Sequence, residues 1–281
     1  MGTDMKVNLF DHAFAHVAYS VPDRTCSNIH WVRNPTAMSY RYPTVVTDRS
    51  LLALPVSTGP APLIGWLLEG RAYGREVYER VPSFIDRLDM LLTHDQALLD
   101  AYPQKARFVP FGGCWIPDAE WGMRPKTKLV SMIFSAKDFM PGHHLRHEVA
   151  ALGGLDLFGY GSDRPIKSKV EGLADYRFSV VIENDRADNY FTEKLIDCFA
   201  LGTIPIYWGT PNIGKFFDER GILMVGNATD IAVELGELGN RDRYSPRLAA
   251  VESNLVEARK YRLPEDYIYT HYLKAYDRGE G

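Results

Sequence analysis

Cysteine is scarce: Cys26, Cys114 and Cys198 are the three among 281 residues. They are widely spaced and form no C-x-x-C pair, which excludes a disulfide framework or a zinc-finger-type site as the organising device. No apolar run approaches the roughly 20 residues needed to span a bilayer. The opening residues, MGTDMKVNLFDHAF, also lack a basic segment followed by a long apolar one. The expectation is a soluble, cytoplasmic protein without a membrane span. A surplus of positive charge is missing too. Lys and Arg number 32 against 36 Asp and Glu, a formal balance of -4, so no basic field is available for nucleic acid. Internal repeats, low-complexity tracts and D-x-D pairs are likewise absent. The last of these is a common means of holding a divalent cation on a nucleotide sugar, so cationic side chains would have to take that task.

What is present is apolar sequence in α/β order. Hydrophobic residues make up 46% and charged ones 24%, enough for two ordinary cores. Residues 1–60 show little period beyond a β-rich piece at 44–47. Strands are then expected at 62–68, 89–92 and 107–110, with helices between them. The segment FGGCWIPDAEWGMRPKT, residues 111–127, breaks the alternation and suggests a boundary. The predicted domains are therefore 1–122 and 123–281. The second continues with a strand at 129–134, a helix at 143–152 and a strand at 155–160, and ends in helices near 231–238, 246–261 and 264–276. The fold class is α/β: two Rossmann-like domains facing a cleft, with a C-terminal helical tail.

The most informative stretch is YRFSVVIENDRADNYFTEKLIDCFALGTIPIYWG, residues 176–209. An apolar strand ends at Ile182, a polar loop runs to Tyr190, Thr192 N-caps a helix closed by Gly202, and a second strand occupies 204–208. Such a βαβ unit directs strand carboxyl ends and a helix start to one edge. Lys194 sits in that helix's first turn, where its charge opposes the dipole unless an anion is shared, or else it pairs with a neighbour such as Asp197. Arg146, on the helix after the preceding strand, faces the same edge and would complete a diphosphate clamp, or else pairs with an acid such as Glu148. Glu193 fits either a ligand contact or an ordinary first-turn acid. Asn184, Asp185, Asp188 and Tyr190 fit hydrogen bonding to ligand hydroxyls, or simple turn chemistry. Trp115, Tyr207 and Trp208 fit stacking or packing.

Two further features bear on chemistry. Glu69 ends the strand IGWLLEG and is followed by glycine, a placement suited to a general base; Asp48, Asp86 and Asp95 compete with it. His143 and His147 are four apart on one helical face, a spacing that can bind zinc, but no H-E-x-x-H and no third ligand accompany them.

The run IENDRADNYFTEKLIDCFALGTIPIYWGTPNI resembles the signature of the alpha-1,3-fucosyltransferases, glycosyltransferase family ten. There an F-E-N segment precedes Y-x-T-E-K, a helix and G-T-x-P-[IV]-Y-[WY]-G. Glu183-Asn184, Tyr190, Thr192 to Lys194, Gly202-Thr203, Pro205 and Tyr207 to Gly209 fill the matching places, with Ile182 in place of the aromatic residue. The likeness extends upstream through KLVSMIFSAKDFMPGHHLRHEV and LDLFGYG. It implies the GT-B fold, GDP-fucose as donor, a glycan or other hydroxyl acceptor and no required metal cofactor. It further implies an inverting transfer in alpha-1,3 or related linkage. On this resemblance Arg146 and Lys194 hold the diphosphate, and Asn184, Tyr190 and Glu193 contact nucleoside or sugar. WLLEGRAY is similar to the segment that carries the family's catalytic carboxylate, which makes Glu69 the base, although Gly70-Arg71 departs from the usual motif. Another nucleotide-diphosphate sugar, a non-catalytic nucleotide-sugar-binding protein and, last, a metallohydrolase are the alternatives.

Overall fold

The computed structural model describes residues 4–35, 41–54 and 59–277. The chain divides into two compact units. Unit 1 comprises the residues up to Phe111 together with those from Leu263, and unit 2 is Gly112–Arg262.

Unit 1 contains a six-stranded parallel sheet of β1 (Met5–Phe10), β2 (Ile29–Arg33), β3 (Thr44–Thr47), β4 (Leu63–Trp66), β5 (Met90–Thr93) and β6 (Ala106–Phe108). Its spatial order is β2-β1-β3-β4-β5-β6. Parallel strands need both faces covered, and the side-chain alternation divides the core accordingly. Val46, Leu63 and Leu91 pack with Val77 and Val81 of α1 (Arg71–Phe84) and with Leu98 of α2 (Gln96–Ala101). Their neighbours Val45, Ile64 and Leu92 join Val7 and Leu9 in a separate cluster.

Unit 2 holds a five-stranded parallel sheet of β7 (Lys128–Ile133), β8 (Asp156–Phe158), β9 (Tyr176–Ile182), β10 (Ile204–Trp208) and β11 (Leu223–Met224), in the order β11-β10-β9-β7-β8. Its helices are α3 (Pro141–Leu152), α4 (Val170–Leu173), α5 (Glu193–Ala200), α6 (Ala228–Leu238) and α7 (Leu248–Glu257). The predicted strand–loop–helix–strand runs as β9-α5-β10. Its only exposed strand position is Arg177, and Thr192 caps α5 by accepting from the Lys194 N–H at 3.3 Å.

The division between units differs from the predicted ranges at both ends of unit 2, and the outermost residues of those ranges, 1–3 and 278–281, lie outside the described residues. The Gly/Trp/Pro-rich segment contains the first division: Phe111 belongs to unit 1, and the residues from Gly112 belong to unit 2. Cys114, Ile116 and Trp121 pack with Leu195, Phe199 and Ile213 in its core, and Gly112 bridges to Thr192. The final helix, α8 (Pro264–Ile268), belongs with unit 1. Leu263, Ile268 and Leu273 pack against Val7, Leu9 and Ile29, covering the sheet face that α1 leaves open. Buried Glu265 fastens this segment by accepting from the Ser20 N–H and hydroxyl, both at 2.7 Å, and from Trp31 Nε1 at 3.4 Å. β1 and β2 have no counterpart among the expected elements, whereas β3 is the β-rich piece at 44–47.

Candidate functional site

The predicted donor-side residues all lie in unit 2, where the strand carboxyl ends meet the starts of α3 and α5. Glycine at position 142 is decisive for α3. A Cβ there would lie 1.7 Å from the Glu183 carbonyl oxygen, so only glycine lets the helix start press onto the end of β9. The Gly142 N–H donates to the Asn184 carbonyl at 3.1 Å. That approach brings buried Arg146, one turn on, to the end of the same strand. Its Nε donates to the Ile182 carbonyl at 3.0 Å, its Nη2 donates to that same oxygen, and Nη2 also donates to Asn184 Oδ1 at 2.9 Å. Its partners are thus dipoles. Among the described residues the guanidinium makes no ion pair, Glu148 included. Burial lowers its pKa, with Glu183 and Glu193 opposing, and arginine stays charged nonetheless.

From α5, Lys194 Nζ contacts Thr192 Oγ1 at 3.1 Å, Glu193 Oε1 at 3.3 Å and Glu183 Oε2 at 3.7 Å. Asp197 is not its partner: Lys169 pairs with Asp197 at 2.8 Å and with Glu193 at 3.3 Å while lying 4.3 Å from the centre of the Trp115 ring. Burial would raise the Glu193 pKa, but Lys194 and Lys169 prevail and hold it well below the usual carboxylate range. Glu183 is fully buried and accepts from the Thr192 N–H at 2.9 Å and its hydroxyl at 2.7 Å; burial pushes its carboxyl up. It braces the cap of α5 from below, a part that neither its place after an apolar strand nor its place in the signature disclosed. Lys169 carried no sequence signal. Tyr190 is buried beside Arg146, whose titration it influences, and Asn184 is half-buried.

The histidine pair does not converge on a ligand. His143 Nδ1 accepts from the Phe139 N–H at 3.4 Å, and His147 Nε2 lies 3.0 Å from the Lys137 carbonyl. Burial, then Arg146, Lys137 and Lys194, push the His143 pKa down to about 4, leaving it neutral near pH 7. Among the described residues no group of three or more His, Cys, Asp or Glu is arranged to hold a metal.

Glu69 lies in unit 1, half-buried on the turn from β4 to α1. Its backbone is fixed: the Glu69 carbonyl accepts from the Tyr78 hydroxyl at 2.7 Å, the Leu68 N–H donates to Asp48 Oδ1 at 2.9 Å, and the Leu67 N–H donates to the Leu92 carbonyl at 2.9 Å. Asp48 holds a left-handed φ of 37°, and its Oδ2 is inaccessible without a hydrogen-bond partner. Burial pushes its carboxyl up to about 8, against the Leu68 N–H bond and with help from the Glu69 and Asp11 charges. The folded state therefore keeps a proton that the unfolded chain loses near pH 4. Stability from this group falls as pH rises from about 4 to 8, by at most about 1.4 kcal/mol per unit. Asp48→Asn is expected to flatten that decline, measured as Tm against pH; parallel curves for variant and wild type would refute the assignment.

Two parallel-sheet units, one carrying cations at helix starts beside strand carboxyl ends, have the GT-B architecture. Residues 123–239 match the family described as glycosyltransferase family 10 (fucosyltransferase) C-term. The chain is 42% identical over 60 residues to the alpha-(1,3)-fucosyltransferase FucT of Helicobacter pylori, covering 21% of this chain and 13% of that protein. It is 28% identical over 131 residues to alpha-(1,3)-fucosyltransferase B of Drosophila melanogaster, covering 41% of this chain and 28% of the relative. The matched parts are thus less than a third of either relative. In structure, the chain is similar to an alpha1,3-fucosyltransferase crystallised with GDP-fucose, with a TM-score of 0.62 at 16% identity, covering 100% of this chain and 92% of that one. TarM is similar at a TM-score of 0.56 and 11% identity, covering 85% and 55%. Among the described residues no helix is long and apolar enough to cross a membrane.

Proposed function

We propose that this protein transfers fucose from GDP-fucose to a hydroxyl of a glycan acceptor, with inversion, in alpha-1,3 or a related linkage. The observation that carries the reading is Arg146: a buried cation without an ion-pair partner among the described residues, set beside the α5 start within the family-10 segment. Desolvating a guanidinium is costly unless charge compensation follows, and a diphosphate supplies two negative charges in the bidentate geometry that arginine matches. Lys194 adds a point charge, and the first-turn N–H groups of α5 add dipoles. In this reading Asn184 and Tyr190 orient the nucleoside or sugar. Glu193, held ionised by Lys194 and Lys169, accepts from ligand hydroxyls.

In the transfer, the acceptor oxygen forms a bond to the anomeric carbon as that carbon's bond to the β-phosphate oxygen breaks. The departing electron pair stays on GDP, where Arg146 and Lys194 offset it. The acceptor's proton passes to the Glu69 carboxylate. Glu69→Gln tests the base: kcat is expected to fall about 10²- to 10⁴-fold while donor binding persists. Unchanged turnover of GDP-fucose would remove Glu69 from the mechanism. Donor identity is read from thermal shifts with GDP-fucose, GDP-mannose and UDP-sugars, the true donor raising Tm most by mass action.

A further inference from the structure

The turn after β8 presents an aromatic ring to solvent on an unusually firm support. Tyr160 is 82% exposed, yet its backbone is tightly held. Gly159, at φ 93°, donates its N–H to the Arg164 carbonyl at 2.9 Å, and Gly161 donates to the Phe134 carbonyl at 3.1 Å. The Ser162 N–H and hydroxyl both donate to the Gly159 carbonyl at 3.0 Å. Both glycines also allow a close approach to the end of β7. A Cβ on Gly159 would meet the Phe134 carbonyl oxygen at 2.4 Å, and one on Gly161 would meet the Phe134 ring at 2.5 Å and the Ser135 carbonyl oxygen at 2.9 Å. Below the turn, Arg164 lies 4.2 Å from the centre of the Phe158 ring and pairs with Asp156 at 3.3 Å. The turn that carries Tyr160 is therefore braced at its backbone, and the ring projects from it into solvent.

Its location gives that ring a use. β7 leads into α3, which carries Arg146, and β8 is the strand paired beside β7. In a Rossmann-like unit the phosphates sit at the helix start after the first strand, and the nucleoside extends toward the end of the neighbouring second strand. Tyr160 stands at that second strand end, on a turn packed against the first residue of the β7–α3 connection.

We propose that Tyr160 is a stacking platform for the purine base of a nucleoside diphosphate whose phosphates lie at Arg146 and Lys194. This rests on the diphosphate reading above and extends it to the base. An aromatic face recognises any base by stacking, with the larger purine covering more of the ring.

Binding of GDP and of inorganic pyrophosphate is compared by calorimetry for wild type, Tyr160→Ala and Tyr160→Phe, with Tm measured for each. Tyr160→Ala is expected to weaken GDP about ten- to a hundredfold and to leave pyrophosphate binding and Tm unchanged, while Tyr160→Phe binds GDP like wild type. Unchanged GDP affinity in Tyr160→Ala overturns the platform and leaves the diphosphate site standing. Equal losses for GDP and pyrophosphate overturn it as well, since the effect is then a disturbed turn. Wild-type protein that binds neither compound refutes the diphosphate site and the platform together.

Discussion

Arg146→Ala is expected to lower kcat/KM for the donor by about 10²- to 10³-fold, the range for removing one preorganised group that meets developing charge. The side chain is buried and its hydrogen bonds are those of a positioned fork. Arg146→Lys is therefore expected to recover little, because an ammonium cannot reproduce the two-pronged contact with the Ile182 carbonyl and Asn184. Truncation also leaves that buried carbonyl without these donors, a stability cost of about 1–3 kcal/mol. Lys194→Ala separates the two effects: its side chain is 25% exposed, so donor affinity is expected to fall with a smaller change in Tm. Calorimetric titration with GDP, read beside thermal melts, checks both variants. Wild-type affinity in the pair would rule out the clamp.

The largest expected effect on stability is at Glu183. This fully buried carboxylate bonds both the backbone N–H and the hydroxyl of Thr192, and Thr192 in turn caps α5. Glu183→Ala leaves two buried donors without their acceptor and unties the start of the helix. About 3–5 kcal/mol of folding free energy is expected to be lost, the range for breaking a buried charged network. Glu183→Gln keeps an acceptor and is expected to lose less. Urea denaturation measures both; an alanine variant within about 0.5 kcal/mol of wild type, the spread of neutral surface changes, would show that the brace carries no weight.

The parts of this molecule legible in its sequence are those whose signals are local. The β9-α5-β10 unit declared itself through an uninterrupted apolar strand, a threonine cap and a glycine stop, all within thirty-four residues. Placing the starts of α3 and α5 at one edge needed only the rule that successive helices start at one edge of a parallel sheet. β1 was hidden because its alternation is interrupted by Asn8, a buried amide whose Nδ2 donates to Thr44 Oγ1 at 3.2 Å, thirty-six residues away. The 112–121 segment showed only a break in the alternation because its glycines and tryptophans lack period, whereas its burial depends on partners some eighty residues later, as in the 2.7 Å bond from the Trp115 N–H to Asp197. The pairing of Lys194 had the same difficulty. Asp197 was a sound local candidate, and Lys169 claims it from a different loop. The assignment of α8 to unit 1 follows from an uncovered sheet face, which no window of sequence displays.

Because residues from Leu263 complete the core of unit 1, that unit is assembled from two pieces of chain separated by the whole of unit 2. A ribosome delivers Gly112–Arg262 as an unbroken run, so unit 2 has all of its own residues available while unit 1 still lacks its closing layer. Until that layer arrives, Val7, Leu9, Ile29 and Ile64 present an apolar face to the cell, the kind of surface to which chaperones bind and from which aggregates grow. The order of biosynthesis thus places the hazard in the unit that begins first and finishes last.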